Sequence, residues 1–163
     1  MNNYVVAFDT ANEMISLGIG LLDRAKKTID CIASREVGAF RASNVKLLPE
    51  IDALLADAGI SRGEVACVVC GRGPGSFTGV RICLASAKGI AIGLGVPLFG
   101  VSTSDAQAWQ QWANGVCGSV VVLGDAMRKE VYPVRYHVTD SGIERLNSDT
   151  VMTVSYTHLR AHE

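Results

Sequence analysis

Three absences in this 163-residue sequence narrow what it can do. It has no basic stripe: 15 Lys and Arg stand against 16 Asp and Glu, a formal net charge of -1. Autonomous binding to RNA or DNA backbones is therefore disfavoured. Its apolar runs are broken by Gly, Ser or charges well before the roughly 20 residues that a membrane span needs, and no basic segment followed by an apolar one opens the chain. A cytoplasmic protein without membrane association is expected. Cysteine is odd in number, five scattered among strand and helix patterns, which fits reduced thiols better than a disulfide framework. Cys67 and Cys70 form a C-x-x-C, but VACVVC reads as a strand, where positions three apart face opposite ways, so core packing is expected rather than redox or zinc chemistry.

What is present is enough to build a core: 48% of the residues are hydrophobic and 19% charged. YVVAFDT, MISLGIGLL and KTIDCIAS are β-prone runs joined by connections of three or four residues, which permit only antiparallel pairing. ASNVKLLPEIDALLADAG follows with apolar residues at helical spacing, Ser43 or Asn44 placed as cap and Gly59 as stop. The fully apolar VACVVC predicts a central strand. Beyond it come a glycine loop, a helix from about Ser76 to Leu94, the strand VPLFGV and a capped helix over 102–113. The order βββαβαβ predicts an α/β ribonuclease-H-like domain over 1–115, a mixed five-stranded sheet with helices on both faces. After Gly118 the pattern restarts with SVVVLGDA and EVYPVRYHV, read as the start of a truncated second domain over 116–154. The last stretch, 155–163, has neither apolar period nor turn grammar and reads as foreign sequence.

The segment GRGPGSFTGVR holds the densest local signal: Gly71, Arg72, Gly73, Pro74, Gly75, Ser76, Phe77, Thr78, Gly79, Val80 and Arg81. It lacks the Lys of a Walker loop, and Ser76 and Thr78 stand where a dinucleotide fingerprint would need glycine. Two readings stay open. One is a bound phosphate at a helix N-terminus with Arg81 adding charge; the other is a structural or partner-facing turn, with Ser76 or Thr78 capping the helix. On that helix Phe77, Val80, Leu84, Ala87, Ala91 and Leu94 form one apolar face, and Ser86, Gly89 and Gly93 a second stripe of small residues. Each interior glycine costs about 1 kcal/mol relative to alanine. Close packing on the sheet and docking of another helix both account for that cost. Asp9 and Thr10, at the tip of the first hairpin, stand where a phosphate-binding hairpin would carry its acid, but no glycine follows, so a degenerate phosphate hairpin is expected. His158 and His162, beside Glu163, lie in the anomalous tail and His137 alone in a strand, so no metal site is expected. No set of Ser, Cys and His forms an activated nucleophile, so no catalytic residue is expected.

GRGPGSFTGVRICLASAKGIAIGLGVPLFGVSTSDA resembles the bacterial TsaB family, also called YeaZ, as do VVAFDTA, LLPEIDALLADAG and DAMRKEVY, where Met127 replaces the family's Arg. The resemblance covers about 4 to 140. It implies an actin-like ATPase fold and a non-catalytic scaffold that binds the TsaD transferase in making threonylcarbamoyladenosine beside the tRNA anticodon. A TsaE-like ATPase joins the pair, tRNA is met only through the complex, ATP is admitted only at the partner interface, and a homodimer forms when the chain is alone. The implied docking helices are about 43–58 and 76–94, with Leu47, Leu48, Ile51, Leu55, Phe77, Arg81, Cys83, Ser86, Gly89, Ile90 and Gly93 as candidate interface residues. Ser43 stands where family members often carry a His. The alternative class is an ATPase or metallopeptidase-like hydrolase, which would need a nucleotide or metal site.

Overall fold

The computed structural model describes residues 3–38 and 42–153; the sequence-read tail at 155–163, with His158 and His162, lies outside them. The chain forms two compact units, Met1–Thr103 and Ser104–Glu163. In the first, β1 (Tyr4–Asp9), β2 (Met14–Asp23) and β3 (Thr28–Gly38) make the antiparallel meander that their short connections require. β4 (Val65–Gly71) then pairs parallel to β1, and β5 (Leu98–Val101) parallel to β4, giving the order β3-β2-β1-β4-β5. The mixed five-stranded sheet is as the sequence pattern indicates.

α1 (Ser43–Asp57) and α2 (Phe77–Leu94) pack in one cluster with Val6, Phe8, Ile15, Leu17, Val68 and Cys70. They thus share the sheet face defined by alternate residues of β1, β2 and β4. The cap of α1 differs from the expectation: the helix starts at Ser43 itself, and Ala42, with no side-chain hydrogen bond, occupies the cap position. The Ala42 carbonyl accepts from the Val45 and Lys46 amides at 3.1 Å, which closes the first turn. Pro49 lies inside α1 without ending it, at the loss of one helical bond. The stop is where the sequence puts it, with the Ile60 amide returning to the Leu55 carbonyl around Gly59.

The second unit corrects the 115/116 boundary read from the sequence. α3 (Thr103–Ala113) contributes nearly all its length to this unit because its buried face belongs there: Ala108 is fully buried against Val122, Val134, Tyr136 and Val138, with Trp112 packed beside them. β6 (Gly118–Met127) and β7 (Glu130–Thr139) form a hairpin, β8 (Gly142–Arg145) extends it, and β9 (Met152–Thr153) pairs with the start of β7. A four-stranded sheet and one helix face close this unit through a small apolar cluster and a polar network. In that network the Tyr136 hydroxyl donates to Asp105 at 2.7 Å, and Arg145 bridges Asp105 at 3.0 Å and Asp149 at 2.6 Å. Burial and the Asp105 bond push the Tyr136 phenol well above its ordinary range.

Candidate functional site

The glycine loop runs from the end of β4 into α2, and its interior is filled by the tip of the first hairpin. A Cβ built on Gly71 would lie 2.1 Å from the Asp9 carboxylate, on Gly75 2.5 Å from the Ala11 carbonyl, and on Gly79 2.0 Å from the Thr10 carbonyl. Only glycine tolerates such approaches. Hydrogen bonds tie the two loops at the same points. The Thr10 hydroxyl donates to the Gly79 carbonyl at 2.7 Å, and the Ser76 amide to the Ala11 carbonyl at 2.7 Å. Of the two predicted caps Ser76 is used, accepting from the Gly79 amide at 3.3 Å.

Asp9 is engaged on both oxygens: one accepts from the Ala11 amide at 2.7 Å, the other from the Thr103 hydroxyl at 2.6 Å. Thr103, whose amide also donates to the Gly73 carbonyl at 2.8 Å, is a residue that sequence reasoning missed. Its separation from Asp9 by 94 positions leaves no local signal. The expected hairpin of Asp9 and Thr10 is therefore a clasp between loops. Next to it, burial and then the Asp9 charge push the Cys83 thiol up to about 12, and burial raises Cys70 as well. Neither is an activated nucleophile. All five cysteines are free. Among the described residues, no three metal-ligating side chains converge.

The candidate docking residues divide into two sets. Leu47, Ile51, Leu55 and Cys83 are core, the last 0% exposed, because the sheet takes the same helix faces that the sequence offered to a partner. Phe77 is corrected the other way: placed on the packing face by its spacing, it is 69% exposed, with the Arg81 guanidinium stacked 3.8 Å above its ring. Between the helices runs a groove of about 340 Å³ whose lining includes Leu48, Ile51, Leu55, Ile90 and Gly93. Gly89 and Gly93 are exposed, and among the described residues no atom beyond the adjoining turns of the helix backbone lies within 4 Å of where a Cβ would stand on either. Close packing on the sheet is thereby excluded as the reason for them. Ser86 is half-buried on the same side. Val45, 65% exposed on α1, and Ile92, 82% exposed on α2, extend the apolar surface and were absent from the sequence candidates. Ile92 falls outside the predicted apolar face of α2, which concealed it.

α2 is, among the described residues, the one helix long and apolar enough to cross a membrane. Its polar interruptions are Gly, Ser and Thr, which scarcely lower hydropathy, and two cations. Cys83, Ala87 and Ala91 bury one side of it in the core, leaving the other apolar side outward.

A meander that feeds parallel βα units, followed by a second meander, defines the class: an α/β domain of the ribonuclease-H-like, actin-like ATPase type. The chain belongs to the TsaB/YeaZ family. Residues 36–160 match the family model described as TsaD: tRNA N6-adenosine threonylcarbamoyltransferase. The tRNA threonylcarbamoyladenosine biosynthesis protein TsaB of Haemophilus influenzae is 36% identical over 132 residues, 80% of this chain and 52% of that protein. Its namesake in Escherichia coli is 37% identical over 103 residues, 63% and 45% of the two chains. The solved structure of YeaZ from Pseudomonas aeruginosa superimposes with a TM-score of 0.81 at 27% identity, covering 98% of this chain and 72% of that one. The chain spans about half the length of the curated relatives it matches.

Proposed function

We propose that the chain acts in tRNA threonylcarbamoyladenosine biosynthesis as a non-catalytic scaffold, holding a TsaD-like transferase against α1 and α2. One observation carries the reading: the exposed Gly89 and Gly93 beside the apolar α1/α2 groove. Two interior glycines cost α2 about 2 kcal/mol of helix propensity. Among the described residues nothing outside α2 uses the space they leave, whereas a partner helix could approach the backbone there closely. The glycine loop supports the same reading, since Asp9 and the backbone of the first hairpin fill its interior. A TsaE-like ATPase would join the pair, and tRNA would be met through the complex, with any ATP confined to the partner interface.

The test is size-exclusion chromatography of the chain mixed with a purified bacterial TsaD-like transferase. A one-to-one complex is expected, and Gly89→Leu is expected to weaken it. If chain shown to be folded by circular dichroism forms no complex, the reading fails. Calorimetry of the chain alone with ATP and magnesium addresses the hydrolase alternative. Tight stoichiometric binding there would move the function to the hairpin of Asp9.

A further inference from the structure

The turn between β2 and β3 concentrates a charge that the rest of the chain lacks. Its four residues are Arg24, Ala25, Lys26 and Lys27, all exposed. Outside it, the other 12 of the 15 Lys and Arg stand against 16 Asp and Glu, so the positive potential is local to this turn. Asp23 holds the turn in shape: its Oδ1 accepts from the Ala25 amide at 2.9 Å and from the Lys26 amide at 3.0 Å, and Asp23 pairs with Thr28 across the hairpin. Lys26 shares its charge with Asp23 at 3.3 Å. Among the described residues neither Arg24 nor Lys27 has a carboxylate within ion-pair distance, and the next acid along the hairpin is Asp30, opposite Leu21 on β2. Lys27 stands at φ 57°, a backbone position that favours glycine or asparagine, and the chain keeps a lysine there.

We propose that this turn contacts the phosphate backbone of an RNA, which in the reading above is the tRNA held by the assembled complex. The inference rests on that reading and deepens it, because it gives this chain a direct, sequence-independent contact with the RNA. Three properties favour an RNA backbone over other anions. The cations are presented on a turn fixed by the Asp23 bonds, so contact orders little that was free. The turn itself has no aromatic ring and no Asn or Gln, and therefore nothing that stacks on a base or pairs with its amide edges; phosphate is the group it fits. Its one apolar side chain is Ala25, so it lacks the anchor that a membrane-surface contact buries. Two uncompensated charges do not hold an RNA by themselves, in keeping with the net charge of the whole chain. They tighten an RNA that the partner already holds, as a second contact on one ligand does.

The experiment measures, by fluorescence anisotropy, the affinity of the chain in complex with a TsaD-like transferase for an unmodified tRNA transcript between about 50 and about 200 mM NaCl. It compares the unaltered chain with the neutralised Arg24→Gln/Lys26→Gln/Lys27→Gln and the charge-preserving Arg24→Lys/Lys26→Arg/Lys27→Arg, each first checked for complex formation by size exclusion. Expected for the neutralised variant is about tenfold weaker RNA binding at about 50 mM NaCl, with a slope of log affinity against log salt shallower by about 2, one for each uncompensated cation. The charge-preserving variant is expected to bind as the unaltered chain does. If the unaltered chain forms no complex, the docking reading falls, and the inference with it. If the complex forms and the neutralised variant keeps the unaltered affinity and slope, the inference falls and the docking reading stands. A neutralised variant that loses the transferase itself assigns the turn to an acidic protein surface and overturns the RNA contact. Co-sedimentation with phosphatidylserine vesicles is expected to retain none of the chain; retention that the neutralised variant abolishes overturns the proposal in favour of a membrane surface.

Discussion

Two glycines of one helix, Gly79 and Gly89, should respond oppositely to the same substitution. Both are helical, so alanine at either gains about 0.5–1 kcal/mol, from propensity and from a less flexible unfolded chain. At Gly89, among the described residues, nothing beyond the adjoining turns of the helix backbone lies within 4 Å of the new methyl group, so the gain stands alone. At Gly79 the methyl would lie 2.0 Å from the Thr10 carbonyl oxygen, a backbone atom, where ordinary contact begins at 3.4 Å. The hairpin tip must retreat by more than an ångström, and it is held by the bond from the Thr10 hydroxyl to the Gly79 carbonyl at 2.7 Å. Overpacking of this kind costs about 1–3 kcal/mol and the disturbed hydrogen bond about 1 more. Net of the helix gain, Gly79→Ala should destabilise by about 1–3.5 kcal/mol, and Gly89→Ala should stabilise by up to about 1. Urea titrations followed by circular dichroism at 222 nm give both values against one reference. Equal stabilities for the two variants would refute the argument, because they would mean that the loop approach at Gly79 does not exist in solution.

Two further perturbations test the clasp around the loop. Asp9→Ala removes the acceptor for the Ala11 amide and the Thr103 hydroxyl, so a loss of about 2–3 kcal/mol is expected in the same titration; no loss would mean that the carboxylate is not a structural tie. The Cys83 thiol, raised to about 12 in the folded chain, contributes stability that is intact below the ordinary thiol range and is lost as pH rises toward 12. Stability should therefore fall above about pH 9 by roughly 1 kcal/mol per pH unit on account of this group. Cys83→Ala should flatten that decline; an unchanged slope would show that the thiol is hydrated.

The strands of the meander were legible from their runs and short connections, because a three- or four-residue link leaves antiparallel pairing as the only geometry. VACVVC was legible as a central strand for a similar reason: an unbroken apolar run needs cover on both faces. The unit boundary was not legible. STSDAQAWQQWA shows a helix, but whether Ala108 and Trp112 serve the sheet before or after them is settled by packing over distances that local pattern does not encode.

At the candidate site the limit lies in burial. Leu47, Ile51 and Leu55 share a period with Leu48, and only the position of the sheet sends the first three inward and leaves the last 49% exposed. What the sequence determined by itself is the inventory: a glycine-rich turn before a helix, a stripe of small residues along it, two cations and no acid on that helix. The tertiary structure assigned each glycine its reason. Gly71, Gly75 and Gly79 are glycines because the first hairpin presses against them, and Gly89 and Gly93 lie open. A side chain's cost depends on which atoms lie opposite it, and the atoms opposite Gly79 belong to residues nearly seventy positions away.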